Sequence, residues 1–141
     1  MGVLLGIDLG EKRVGTAICD ERTSIATPLK TISFQGRKQL ARELLQIVDE
    51  HHVTKVVVGL PRTLKGEIGI SAQKVMECVE ALKLEIDRPW EFWDERFSSQ
   101  EVERVLLEAD VSRAKRREVR DQLAAQRILQ SYVDSQRKHT E

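Results

Sequence analysis

Cysteine, proline, histidine and aromatic residues are all scarce in this chain of 141 residues. It holds two Cys, three Pro, three His, three Phe, two Trp and one Tyr. Neither sign of charge prevails, with 23 basic and 23 acidic side chains. Each scarcity excludes something. Cys19 and Cys78 lie far apart, without a C-x-x-C pair, so neither a disulfide framework nor a zinc ribbon is expected. His51, His52 and His139 fall at no zinc-ligand spacing and sit among polar neighbours, which suits solvated surface positions. No apolar run reaches 18 residues and no charged-apolar-small leader opens the chain, so the expectation is a reduced, cytoplasmic protein without a membrane partner. A net charge of zero neither draws the whole molecule to nucleic acid nor excludes it, so the distribution of charge decides.

What is present begins with length, which suits a single domain, residues 1–141, with one core that needs no staples. Apolar runs at Val3–Leu9, Val14–Cys19 and about Thr27–Phe34, with short connections, read as a three-strand antiparallel meander. Leu40, Leu44, Leu45 and Val48 then recur at helical spacing, and "TKVVVGLP" reads as a buried strand stopped by Gly59 and Pro61. A helix is expected from about Ser71, with Val75, Val79 and Leu82 on one face, followed by a short strand in "RPWEFW". Ser98 and Glu101 have capping-box spacing ahead of an apolar stripe of Val102, Val105, Leu106 and Ala109. A last helix runs from about Ser112 towards Gln136. The expected fold is α/β, with a mixed five-stranded sheet flanked by helices. One long glycine-bearing loop, "LPRTLKGEIGIS", is either a substrate loop or an ordinary surface loop.

Three acids sit where acids are costly. Asp8 interrupts the apolar run of the first strand, on the face it shares with Leu4 and Gly6. Glu95 stands where the last strand ends, a position typical of sites in α/β folds, while its neighbour Asp94 points to the other side. Asp121 falls on the apolar stripe of the last helix, at i, i+3, i+4, i+7 and i+11 with Ala124, Ala125, Ile128 and Tyr132. Each has a structural alternative: a turn cap for Asp8, an ion pair with Arg96 or Arg13 for Glu95, a helix pair with Arg117 for Asp121. Together they form an all-oxygen set that suits Mg²⁺ or Mn²⁺ rather than zinc. Gathered without a cation, they repel, and at least one should resist ionisation. "SRAKRREVR", with a local charge of +4, is either a solvated helix face or a phosphate-binding one.

"GIDLGEKRVGTAICD" (Asp8, Gly10, Arg13, Gly15, Asp20), "VVVGLP" followed by Gly66, "DER" (Asp94, Glu95, Arg96) and "DQLAAQRILQSY" together resemble the YqgF (RuvX) family of ribosomal RNA precursor nucleases and Holliday junction resolvase-like proteins. The resemblance spans nearly the whole chain. It implies a ribonuclease H-like fold and a nuclease acting in maturation of the small-subunit (16S) ribosomal RNA precursor, with Asp8, Glu95 and Asp121 as metal-binding catalytic acids. Thr63 and Lys65 depart from the family's usual Asn and Asp, and Phe97, Ser98 and Ser99 from its Leu-Thr-Thr run. The expected chemistry is phosphodiester hydrolysis assisted by two divalent ions, with Asp8 shared between them and Glu95 and Asp121 on either side. Arg13, Arg62, Lys65, Arg113, Lys115, Arg116, Arg117 and Arg120 are candidates for contact with the nucleic-acid backbone. The expected partners are the ribosomal RNA precursor or branched DNA, and ribosomal particles, with the chain a monomer or weak homodimer. Two other classes remain open: a sugar-kinase-type ATP-binding enzyme, disfavoured by the absence of a second lobe and a second glycine-acid loop, and a non-catalytic RNA- or ribosome-binding module.

Overall fold

The computed structural model describes residues 2–62, 67–95 and 113–140, with only the backbone described over 113–122 and 137–140. Five strands form one sheet: β1 (Val3–Leu9), β2 (Arg13–Asp20), β3 (Ile25–Ser33), β4 (Val53–Leu60) and β5 (Trp90–Asp94). Their order is β3-β2-β1-β4-β5. The first three pair antiparallel, as short connections require, while β4 and β5 join β1 in parallel through helical crossovers. The crossovers are α1 (Arg37–His51) and α2 (Ile70–Lys83), and a long helix, α3 (Arg113–Thr140), follows β5 in the described chain. The helix expected after Ser98 lies outside the described residues.

Side-chain alternation along the strands makes two cores. Leu5, Ile7, Val56, Val58 and Leu60 point to α1 and α2 and pack with Leu40, Leu44, Val79 and Leu82. Leu4, Ala17, Cys19 and Val57 point the other way, against Ala125, Ile128, Leu129 and Tyr132 of α3. Ile128 and Leu129 are almost wholly buried, and each such side chain stabilises the fold by roughly 2 kcal/mol. Asp8 belongs to the α3 face by the same alternation.

The approach of α3 depends on glycine. A Cβ on Gly6 would stand 2.8 Å from Leu129 Cβ and 3.2 Å from the Ala125 carbonyl oxygen, so its absence lets the helix backbone come down onto β1. Gln130 then fastens α3 to the edge strand. Its Oε1 accepts the Ala26 N–H at 2.8 Å, and its Nε2 donates to the Ser24 carbonyl at 3.1 Å. Where β2 and β3 slip register, the buried Thr16 hydroxyl donates to the Lys30 carbonyl at 2.6 Å and accepts its N–H at 3.1 Å, so the irregularity leaves this buried hydroxyl paired. Gly15, beside it, is the ladder partner of Asp8.

Histidine and Asp20 take structural roles. His52 closes α1 in the left-handed region, φ 55°, its N–H reaching the Val48 carbonyl. Asp20 accepts the Arg22 N–H at 3.0 Å and pairs with the Arg22 guanidinium at 2.7 Å, so it builds the β2–β3 turn. That pairing holds its carboxyl down at about 2.

Candidate active site

A cleft of about 770 Å³ opens beyond the carboxyl-terminal ends of β1, β4 and β5, the edge at which parallel strands present their connecting loops. Asp8 and Glu95 both line it. The two acids come from strands separated by β4, and Gly59 of β4 makes their meeting possible. A Cβ there would lie 2.7 Å from Glu95 Oε1 and 2.4 Å from Ile128 Cδ1, so the Glu95 side chain occupies the space that a larger residue would fill.

Glu95 is hydrogen-bonded to Asp8, and its carboxyl is pushed up to about 9. Burial is the largest cause, followed by the hydrogen bond to Asp8 and by the charges of Asp8 and Asp94. At neutral pH the pair therefore holds a proton between two acids. Of the ion pairs open to Glu95 in the sequence, the one with Arg96 lies outside the described residues. Asp94, on the opposite face of β5, is mostly buried and lies 3.9 Å from Arg62 Nε.

The third acid arrives on α3. Ala125 packs at Gly6, and Asp121 precedes it by four residues, about 6 Å along a helix axis. Asp8 follows Gly6 by two residues, about 6.5 Å along the strand. Tyr132 sits over Lys55, which pairs in register with Leu4, so the amino-terminal part of α3 runs towards the Asp8 end of the sheet. The backbone of residue 121 thus lies towards the Asp8 end of the sheet, and its side chain lies outside the described residues. Among the described residues no group of three or more His, Cys, Asp or Glu side chains forms a metal cage.

The basic candidates divide. Arg13 begins β2 on the face of Asp8, with its carbonyl accepting the Gly10 N–H at 3.0 Å and closing the tight turn between them. Arg62 is half-exposed beside Asp94. Arg113, Lys115, Arg116, Arg117 and Arg120 all fall on the first two turns of α3, where only the backbone is described. Lys65 lies outside the described residues. Sequence reasoning missed the rest of the cleft: Phe34 and Arg37, at the junction of β3 and α1, and Lys74 and Glu77 of α2. The alternating pattern put these segments into core elements, and no local signal marks them as neighbours of Asp8.

The donor set suits a hard cation. Both described groups are carboxyls, oxygen is their only ligand atom, and they are forced close enough to keep a proton that a divalent ion would displace.

A family model described as RuvX, Holliday junction resolvase, matches residues 2–135. A Thermoanaerobacter pseudethanolicus protein named "Putative pre-16S rRNA nuclease" is 46% identical over 135 residues, covering 95% of this chain and 97% of that one. A Clostridioides difficile protein of the same name is 45% identical over 133 residues, 94% of each chain. Among solved structures, T. thermophilus RuvC in complex with Holliday junction substrate superposes with a TM-score of 0.61 at 15% identity, over 98% of this chain and 97% of that one. Fowlpox virus resolvase with Holliday junction DNA gives 0.57 at 10% identity, over 95% and 98%. At such identities the likeness speaks for the fold alone, the expected ribonuclease H-like one.

Proposed function

Since the chain belongs to the RuvX family, we propose that it is a divalent-metal-dependent endonuclease of the cytoplasm that hydrolyses phosphodiester bonds near the 5′ end of the 16S ribosomal RNA precursor. The observation that carries the reading is the carboxyl pair of Asp8 and Glu95, held together at the cleft end of the sheet in a chain whose curated relatives bear the nuclease name.

The residues divide the work. Asp8 and Glu95, with Asp121 brought by α3, supply the oxygens that hold Mg²⁺ or Mn²⁺, and Glu95 gives up its proton to do so. When bound, the ion offsets charge on the phosphate and lowers the pKa of the attacking water. Asp94 lies on the opposite face of β5, 3.9 Å from Arg62 Nε, so this fourth acid does not compete for the cation. Arg13 lies on the site's face and contacts a phosphate, and Arg62, Lys65, Arg113, Lys115, Arg116, Arg117 and Arg120 are the further candidates for binding the strand that leads to the site. A second reading, cleavage of branched DNA, is favoured by the likeness to the RuvC complex and by the family's description.

The test is cleavage of a 5′-extended 16S precursor and of a four-way DNA junction by purified protein, with Mn²⁺, Mg²⁺ or chelator. Precursor cut only with a divalent ion supports the RNA reading, and junction cut in its place supports the second. Neither cut under any ion would leave the chain a binding module.

A further inference from the structure

The cleft that ends on Asp8 and Glu95 also has a wall that the acids do not use. Phe34 stands in it, only partly buried although it packs against the main core. Its backbone is fixed, because its N–H donates to the Lys12 carbonyl at 2.9 Å and so ties it to the turn that follows Asp8. Three residues on, Arg37 opens α1 and lines the same cleft, exposed, with no hydrogen-bond or ion-pair partner among the described residues. The first turn of α1 contains no acidic residue. Across the cleft, α2 contributes apolar Val75, then Glu77, and Lys74 is taken up by Glu11 at 3.4 Å.

We propose that this part of the cleft holds one unpaired nucleotide of the substrate strand, its base stacked on Phe34 and its phosphate against Arg37. The volume leaves room for a nucleotide beside the acids. A base within a duplex has both faces covered, so an aromatic wall in a cleft can take only a base that has left the stack. Glu77 repels phosphate from the α2 side, which sets the polarity: backbone along α1, base towards α2. An arginine at a helix start, with no acid in its own turn and no ion-pair partner among the described residues, is suited to phosphate by charge and by donor geometry. The inference rests on the nuclease reading and adds to it the form of strand that the enzyme accepts.

The experiment uses the full chain with Asp8→Asn to prevent cleavage, and two hairpins that differ only in one bulged 2-aminopurine, each made as RNA and as DNA. The bulged hairpin is expected to bind more tightly, in one sugar form or both, with its emission quenched by stacking. Phe34→Leu should weaken that binding about tenfold, within the range of one base–aromatic stack, and abolish the quench, leaving the fully paired hairpin unchanged. Phe34→Tyr should restore both. Arg37→Ala, at an exposed position that does not threaten folding, should reduce the slope of log K against log salt by about 0.7. Unchanged affinity and quench in Phe34→Leu, equal loss on both hairpins, or an unchanged slope in Arg37→Ala would overturn the subsite while leaving the nuclease reading intact. Absence of binding to either hairpin would overturn the subsite, while the nuclease reading stands or falls on the cleavage of precursor and junction.

Discussion

Glu95 donates no charge to the site it shares with Asp8: the two carboxyls are hydrogen-bonded, and burial with the neighbouring acids pushes Glu95 up to about 9. Two acids brought from different strands and left to share a proton destabilise the fold that holds them, unless a cation takes the proton's place.

The first consequence is a pH dependence. Unfolded, Glu95 ionises near 4.5, and folded, at about 9. Between those values unfolding releases a proton, so stability falls as pH rises through this window and is fully present below it. Thermal melts in chelator should show a Tm declining from pH 5 to 9. Glu95→Gln cannot ionise and should flatten the profile, melting about 3 °C or more above wild type at pH 8. A variant that melts below wild type there would contradict the shared proton.

Gly59 should tolerate no side chain. Gly59→Ala would press on both Ile128 and Glu95, costing about 1–3 kcal/mol by overpacking and displacing the acid. Urea unfolding is expected to show the loss, and Mn²⁺ titration a weakening of about tenfold or more, the effect of disturbing the support of a ligand. Wild-type metal affinity in a destabilised Gly59→Ala would mean that Glu95 is not a ligand.

Much of the fold is legible in the sequence because periodicity encodes faces. The meander, the two parallel strands and the side on which Asp8 lies all follow from alternation along β1, and helical spacing puts Tyr132 on the buried stripe of α3, where it stands. What periodicity cannot encode is contact between elements. Tyr132 reads as an apolar residue, yet its hydroxyl takes a hydrogen bond from Lys55 Nζ at 2.7 Å and its ring meets Trp93 edge-on at 5.6 Å. Gly59 reads as a strand terminator, yet it lies within β4, paired with Trp93, and its role is to leave room for the Glu95 side chain. Phe34 and Arg37 reach the cleft through the turn at Gly10 and the start of α1, a conjunction of three segments with no signature in any one of them.

Tyr132 supplies a control. Tyr132→Phe removes the bond from Lys55 while keeping the ring, and should cost about 1 kcal/mol in urea unfolding. Cleavage at a temperature well below the melt should be unchanged. A reduced rate would extend the site down the α3 face.

The basic start of α3 should act through salt. Arg116→Glu with Arg117→Glu is expected to weaken RNA binding and flatten log K against log salt by about 0.7 for each phosphate that the helix no longer neutralises. Filter binding between 50 and 200 mM salt measures it, and an unchanged slope would make the segment a solvated helix face.

The central claim is that Asp8 carries the metal-dependent chemistry. Its most direct test is the single-turnover rate of RNA cleavage by Asp8→Asn and wild type at saturating Mn²⁺, with thermal melts to establish that both are folded. The variant is expected to be slower by at least about 100-fold, more than removal of a group that only supports a ligand would give. Cleavage by folded Asp8→Asn at the wild-type rate would contradict it.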